Sequence, residues 1–153
     1  MLKFIREDTQ VVFSEIPDEI TLVINISHCP CHCPSCHSKY LWEDIGEELT
    51  TDIIDELVAK NRGITCVCFM GGDIDPREVE RLAEHVKNTY GSTLKVGWYS
   101  GSSEKSEHID EDIVDYIKIG PYIDEYGPLN KETTNQRMYF HGEDITYKFW
   151  KKI

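Results

Sequence analysis

Short apolar runs rich in β-branched residues alternate with stretches whose apolar side chains recur every three or four positions, so the chain predicts strands and helices in turn. Ile20-Thr21-Leu22-Val23-Ile24-Asn25-Ile26 reads as a buried strand. A helix starts at Thr50 or Thr51, either of which can cap it, and stops at Asn61-Arg62-Gly63. It carries Ile53, Ile54, Leu57 and Val58 on one side. The run from Ile64 to Met70 is a second strand and ends at Gly71-Gly72-Asp73. In the next helix Asp75 caps, Pro76 takes the first helical position and Glu78 completes a capping box. Val79, Leu82, Ala83, Val86 and Tyr90 then follow at helical spacing. Leu94 to Tyr99 and Tyr116 to Ile119 give two further strands, separated by a short helical turn near Asp110 to Val114.

Strands alternating with helices through tight connections predict an α/β fold with a mainly parallel sheet. No repeat, low-complexity tract or linker divides the chain, so residues 1–153 are expected to form a single domain. Residues 120–134 are rich in turn formers and read as a loop. Met138 to Phe140 and Asp144 to Trp150 predict a terminal hairpin around His141-Gly142. Ligands of open α/β sheets bind beyond the carboxyl ends of the strands. The segments that follow the four strands are the cysteine-rich loop, Gly71-Gly72-Asp73, Ser100-Gly101 and Gly120-Pro121, so all four belong to one rim.

Composition narrows the partners. A net charge of −12 speaks against nucleic acid and anionic membranes, which ask for a basic patch. It also suits a basic patch on a protein partner. No apolar run approaches the ~20 residues of a membrane span. The amino terminus lacks the apolar core of a secretory signal, and with free thiols this points to a reducing cytoplasm.

The chemistry concentrates in Cys29-Pro30-Cys31-His32-Cys33-Pro34-Ser35-Cys36, with the spacing Cys29-x3-Cys33-x2-Cys36. Three thiolates on one loop can hold three irons of a [4Fe–4S] cluster and leave the fourth open to a small molecule. Zinc stays open as an alternative, because Cys31, His28, His32 or His37 can supply a fourth local ligand. Unligated thiols are a third reading.

The cysteine spacing resembles that of the radical S-adenosylmethionine (SAM) enzymes, and Gly71-Gly72-Asp73 resembles their Gly-Gly-Glu-like motif. Glu15-Ile16-Pro17, Cys36-His37-Ser38 with Leu41-Trp42, the segment from Lys118 to Ile123, and Thr133-Thr134-Asn135-Gln136-Arg137 occur in order. Together they are similar to the activating proteins of anaerobic ribonucleoside-triphosphate reductase. The resemblance implies a reduced, partial radical SAM β/α barrel. It implies Cys29, Cys33 and Cys36 as cluster ligands, and Gly71, Gly72 and Asp73 as receivers of the SAM amino group. Ser100 on the rim, with Asn135 and Arg137 of the following loop, joins them as cofactor-binding candidates. The implied partners are the large reductase subunit and a low-potential electron donor. The implied reaction is reductive cleavage of SAM, leaving a glycyl radical on the reductase.

Two positions depart from the family pattern. Ser35 stands where an aromatic residue commonly packs on adenine, which leaves Trp98, Tyr99 or Tyr40 for that task. His28 stands where Gly is common, and its imidazole is expected to crowd the cluster entrance. Cys66 and Cys68 share a strand face, as an auxiliary metal or redox pair or, more simply, as small core residues. Cys31, His85, His108 and His141 carry no spacing signal. Another small radical SAM enzyme, or a zinc-binding interaction module without catalysis, are the competing functions.

Overall fold

The structure is a computed structural model that describes residues 1–30, 39–107 and 109–150. Its strands are β1 (Lys3–Phe4), β2 (Gln10–Val12), β3 (Thr21–Asn25), β4 (Glu47–Glu48), β5 (Cys66–Met70), β6 (Lys95–Tyr99), β7 (Tyr116–Ile119), β8 (Arg137–Phe140) and β9 (Glu143–Asp144). The helices are α1 (Thr51–Lys60) and α2 (Pro76–Tyr90). The main sheet has the order β2-β3-β5-β6-β7-β8-β9, and β1 pairs with β4 separately. Neighbours from β3 to β7 are parallel, while β2, β8 and β9 join antiparallel. The fold is therefore mixed α/β with a mostly parallel centre.

Both helices form where local chemistry asks for them. Thr50 caps α1 by accepting the Ile53 N–H at 3.2 Å, which settles the start between the two threonines. Asp75 caps α2 by accepting from Glu78 N at 3.4 Å, with Pro76 at the first position. The expected capping box does not close. The Glu78 carboxylate turns to Arg81, and the Asp75 N–H donates instead to Gly72 O at 3.0 Å. Val79, Leu82, Ala83 and Val86 are fully buried, and each larger side chain among them contributes about 1.5–3 kcal/mol.

Strand alternation sorts the core into two faces. Val67, Phe69, Val96, Trp98 and Ile117 pack with the helices. Cys66, Cys68, Tyr116 and Met138 face the other way, with Met70 and Tyr99 packed beside them. Cys66 and Cys68 are free, fully buried thiols in that second cluster. Ile16 plugs this face where Gly97 leaves room, since a Cβ at Gly97 would come within 2.5 Å of Ile16 Cδ1.

The terminal hairpin is shorter than the sequence predicts. His141 and Gly142 turn it with φ of 48° and 85°, and only Glu143–Asp144 pairs back. Thr146–Phe149 winds into a 3-10 turn instead of a strand. The Thr146 hydroxyl takes the Met138 N–H at 2.9 Å and donates to Asp144 Oδ1 at 2.6 Å, which ends the ladder there. The short β1, β2 and β4 have no counterpart in the sequence reading.

Candidate metal centre

The site begins where β3 ends. Ile26 carries the strand one step further by donating to Met70 O at 2.9 Å. The backbone then turns through His28 at φ 59°, a left-handed conformation that favours glycine. That conformation accounts for a Gly preference at this position. The His28 side chain is exposed and is not among the residues lining the strand-end cavity that Cys29 lines. His28 N donates to Glu43 O and Cys29 N to Leu41 O, both at 2.9 Å. Those two bonds clamp the ends of the cysteine-rich loop side by side.

Cys29 is half-buried and lines a cavity of about 200 Å³ at the carboxyl ends of the parallel strands. Cys33 and Cys36 lie outside the described residues, as do Cys31, His32, Ser35, His37 and His108. One wall of the cavity is a register row. Asn25 aligns with Met70, Met70 with Tyr99, and Tyr99 with Lys118 across four neighbouring strands. All four line the cavity, together with Gly71 and Gly101.

Gly71 and Gly72 hold φ of 104° and 98°, and a Cβ at Gly72 would lie 2.6 Å from Val79 Cγ2. The turn itself therefore demands both glycines. Their carbonyls are already in use: Gly71 O accepts from the Trp98 indole at 2.6 Å, and Gly72 O from Asp75 N. Each oxygen keeps a second lone pair for a ligand donor. Asp73 lines the cavity and accepts from the Ser100 hydroxyl and from Gly101 N, the latter at 2.9 Å.

Ser100 is 1% exposed, and each of its polar groups bonds within the protein. Its N–H donates to Lys118 O at 2.8 Å and its carbonyl accepts from Lys118 Nζ at 3.0 Å. Its hydroxyl donates to Asp73 and accepts from Ser102 N at 3.0 Å. Ser100 thus braces the rim. Asn135 Nδ2 donates to Pro121 O at 3.1 Å and Gln136 Nε2 to Gly120 O at 3.2 Å, so both hold the turn after β7. Arg137 begins β8 with its guanidinium 6.0 Å from the Trp150 ring. Asn135 and Arg137 do not line the cluster-side cavity, whereas Gly71, Asp73 and Cys29 come together there.

Three residues that matter to this geometry escaped the sequence reading as site residues. Lys118 is buried, and Nζ also donates to Gly120 O at 2.9 Å. A lysine inside the apolar run of β7 was the available signal. Met70 left none, and Glu15 entered only within the segment Glu15-Ile16-Pro17. Met70, Tyr99 and Lys118 also line a second, outer chamber of about 530 Å³, whose other walls include Glu15, Tyr122 and Phe149. Of the three aromatics considered for adenine, only Tyr99 faces the cluster-side cavity. Trp98 is buried, and Tyr40 donates to Asp8 at 2.5 Å in a neighbouring pocket.

Burial sets the protonation of this wall. It pushes the Tyr99 phenol well up, with the Cys68 thiol and the Glu15 carboxylate adding to it. Burial likewise raises Cys68 well above an ordinary thiol, helped by Cys66 and Glu15. Both groups stay neutral near pH 7. Burial also raises the Glu15 carboxyl, whose side chain makes no hydrogen bond or ion pair among the described residues.

A family described as a 4Fe-4S single cluster domain matches residues 20–145, and the chain belongs to that family. Neither a curated protein nor a solved structure matches it. The site suits such a centre, because Cys29 offers a soft sulfur donor to a cavity at the strand ends. Among the described residues no group of three or more His, Cys, Asp or Glu is placed to hold a metal ion. No helix among them is long and apolar enough to cross a membrane.

Proposed function

We propose that this chain is a radical SAM activase, a single cytoplasmic domain built as a partial radical SAM barrel. The observation that carries the reading is the meeting of Cys29, Gly71 and Asp73 around one cavity at the ends of the parallel strands. Cys29, Cys33 and Cys36 would hold the [4Fe–4S] cluster. That cluster would supply the electron for cleaving SAM to methionine and a 5′-deoxyadenosyl radical, which takes hydrogen from a backbone glycine of anaerobic ribonucleoside-triphosphate reductase.

The remaining residues have binding and positioning work. Gly71 and Gly72 present carbonyl lone pairs suited to the SAM ammonium, and Asp73 with Ser100 keeps the ends of β5 and β6 together. Tyr99 offers a neutral ring on the cavity wall for the nucleoside. Asn135 and Gln136 hold the Gly120-Pro121 turn beside it, while Arg137 anchors the start of β8. A low-potential donor would supply the electron, and the reading calls for neither nucleic acid nor a membrane.

The test is anaerobic reconstitution followed by iron, sulfide and zinc analysis, then reduction by dithionite with SAM present. The expected result is about four irons per chain, with 5′-deoxyadenosine formed on reduction. A glycyl-radical signal on the added reductase then establishes the substrate. Stoichiometric zinc without SAM cleavage overturns the proposal.

A further inference from the structure

The outer chamber has no ligand assigned to it, yet its wall of Met70, Tyr99 and Lys118 is the wall of the cluster-side cavity. Whatever enters it touches side chains that also line that cavity. Among the described residues, four aromatic side chains are exposed: Phe13 (73%), Tyr40 (47%), Tyr126 (44%) and Tyr147 (42%). Their distribution is not scattered. Phe13 precedes the chamber residues Ser14 and Glu15. Tyr126 stands between Tyr122 and Pro128, and Tyr147 two residues before Phe149, all three of which line the chamber. Tyr40 lines the adjoining pocket, which shares Glu15 and Met70 with the chamber.

Three of the segments that wall the chamber, those of Ser14-Glu15, Tyr122 to Asn130 and Phe149, thus carry an exposed aromatic side chain within two residues of a lining residue or between two of them. A small molecule held inside would leave these rings unused. A polypeptide that continues beyond the chamber would cover them, and exposed aromatics of this kind are frequent anchors of protein interfaces. The adjoining pocket is lined by Glu7, Asp8 and Glu15 with no basic side chain in its lining, so the occupant brings positive charge to that side.

We infer that Phe13, Tyr126 and Tyr147 form a docking collar for a polypeptide segment of the partner protein, threaded into the chamber with a basic residue toward Glu15. The inference rests on the activase reading, in which that partner is the reductase. It goes further by assigning the surface that captures it. The loop over Tyr122 to Asn130 supplies part of the collar and is itself held in place. Tyr126 N donates to Ile123 O at 3.0 Å and Thr133 Oγ1 to Tyr126 O at 2.6 Å, so the ring is presented by a fixed turn.

The experiment measures affinity between the reconstituted chain and the anaerobic ribonucleoside-triphosphate reductase of the same source by anaerobic biolayer interferometry. It compares the unmodified chain, the triple variant Phe13→Ser/Tyr126→Ser/Tyr147→Ser, and Ile74→Ser as an exposed position remote in sequence from the collar. Formation of 5′-deoxyadenosine without reductase is followed in parallel. The triple variant should lose affinity by about ten-fold or more, keep reductase-free SAM cleavage, and differ in this from Ile74→Ser. Binding of the triple variant at the unmodified affinity overturns the collar and leaves the activase reading standing. If the triple variant also loses SAM cleavage, Phe13→Ser alone decides, with retained cleavage and weakened binding expected and unchanged binding overturning the inference. An unmodified chain that cleaves SAM but does not bind the reductase overturns the activase reading itself, and the collar with it.

Discussion

Tyr99 and Lys118 are register partners on neighbouring parallel strands, with Lys118 Nζ 5.7 Å from the Tyr99 ring centre. Both residues line both cavities. Lys118→Met takes the side-chain donor from the Ser100 carbonyl and leaves Gly120 O with that of Gln136, at a cost of about 1–3 kcal/mol. Urea denaturation of the two proteins reads this directly; an unchanged midpoint would show that water or another group replaces the lysine at no cost.

Gly72→Ala should destabilise by about 2 kcal/mol or more, because left-handed backbone and a clash with Val79 act together. Gly63 has a similar φ of 91° but no neighbour within 4 Å of an added Cβ. Gly63→Ala should therefore cost only the backbone component, about 1 kcal/mol. Thermal unfolding of both variants checks the difference, and equal losses would remove packing against α2 from the account.

Glu15→Gln should raise stability at pH 7. Burial lifts the folded pKa of Glu15 above its unfolded value, so folding favours the protonated acid. That contribution is complete below the unfolded carboxyl pKa and is lost as pH rises through the folded one. The variant and the unmodified chain should therefore converge at acid pH and separate near neutrality. Denaturant midpoints at about pH 3.5 and pH 7 test the sign, and a variant less stable at pH 7 would mean the carboxylate has a partner.

Burial and then the bond to Asp55 push the Tyr90 phenol up to about 12. Folding thus favours the neutral phenol, and this stabilisation is lost as pH rises through the folded value. Tyr90→Phe should lose the part of the alkaline decline that belongs to the window between about pH 10 and 12. Midpoints at both ends of that window are the measurement; parallel declines in the two proteins would assign the effect to other tyrosines.

Cys29→Ser should lower iron after anaerobic reconstitution from about four per chain to a small fraction of that. The secondary structure should stay intact, since the backbone bonds of Cys29 and His28 do not involve the thiol. Iron analysis and circular dichroism check both halves, and full iron retention would take Cys29 out of the ligand set.

The parallel strands and both helices were legible in the sequence because they announce themselves by periodicity and capping. Ile20 to Ile26 and Val79 to Val86 carry those signals over several turns or pairs. The strands Lys3–Phe4, Gln10–Val12 and Glu47–Glu48 were not legible, since two or three residues hold no period. Asp144 to Trp150 looked like a strand, and a single threonine hydroxyl turned it. For the site, the rim rule placed Cys29, Gly71 and Asp73 at the same strand ends, where all three line one cavity. The register row of Met70, Tyr99 and Lys118 needed the pairing of strands far apart in sequence, and the insertion of Ile16 opposite Gly97 is likewise a long-range fit.

The clamp at His28 and Cys29 has a bearing on how the protein matures. Zinc fingers of the small kind remain unfolded until their metal arrives. In this chain His28 and Cys29 are already joined by main-chain bonds to Glu43 and Leu41, with no side chain of the loop involved in either bond. The chain length that a ligand would otherwise have to close is shortened by the fold itself. Cofactor delivery then becomes a late, separable event on a finished scaffold, and a molecule stripped by oxygen is a candidate for repair rather than for degradation.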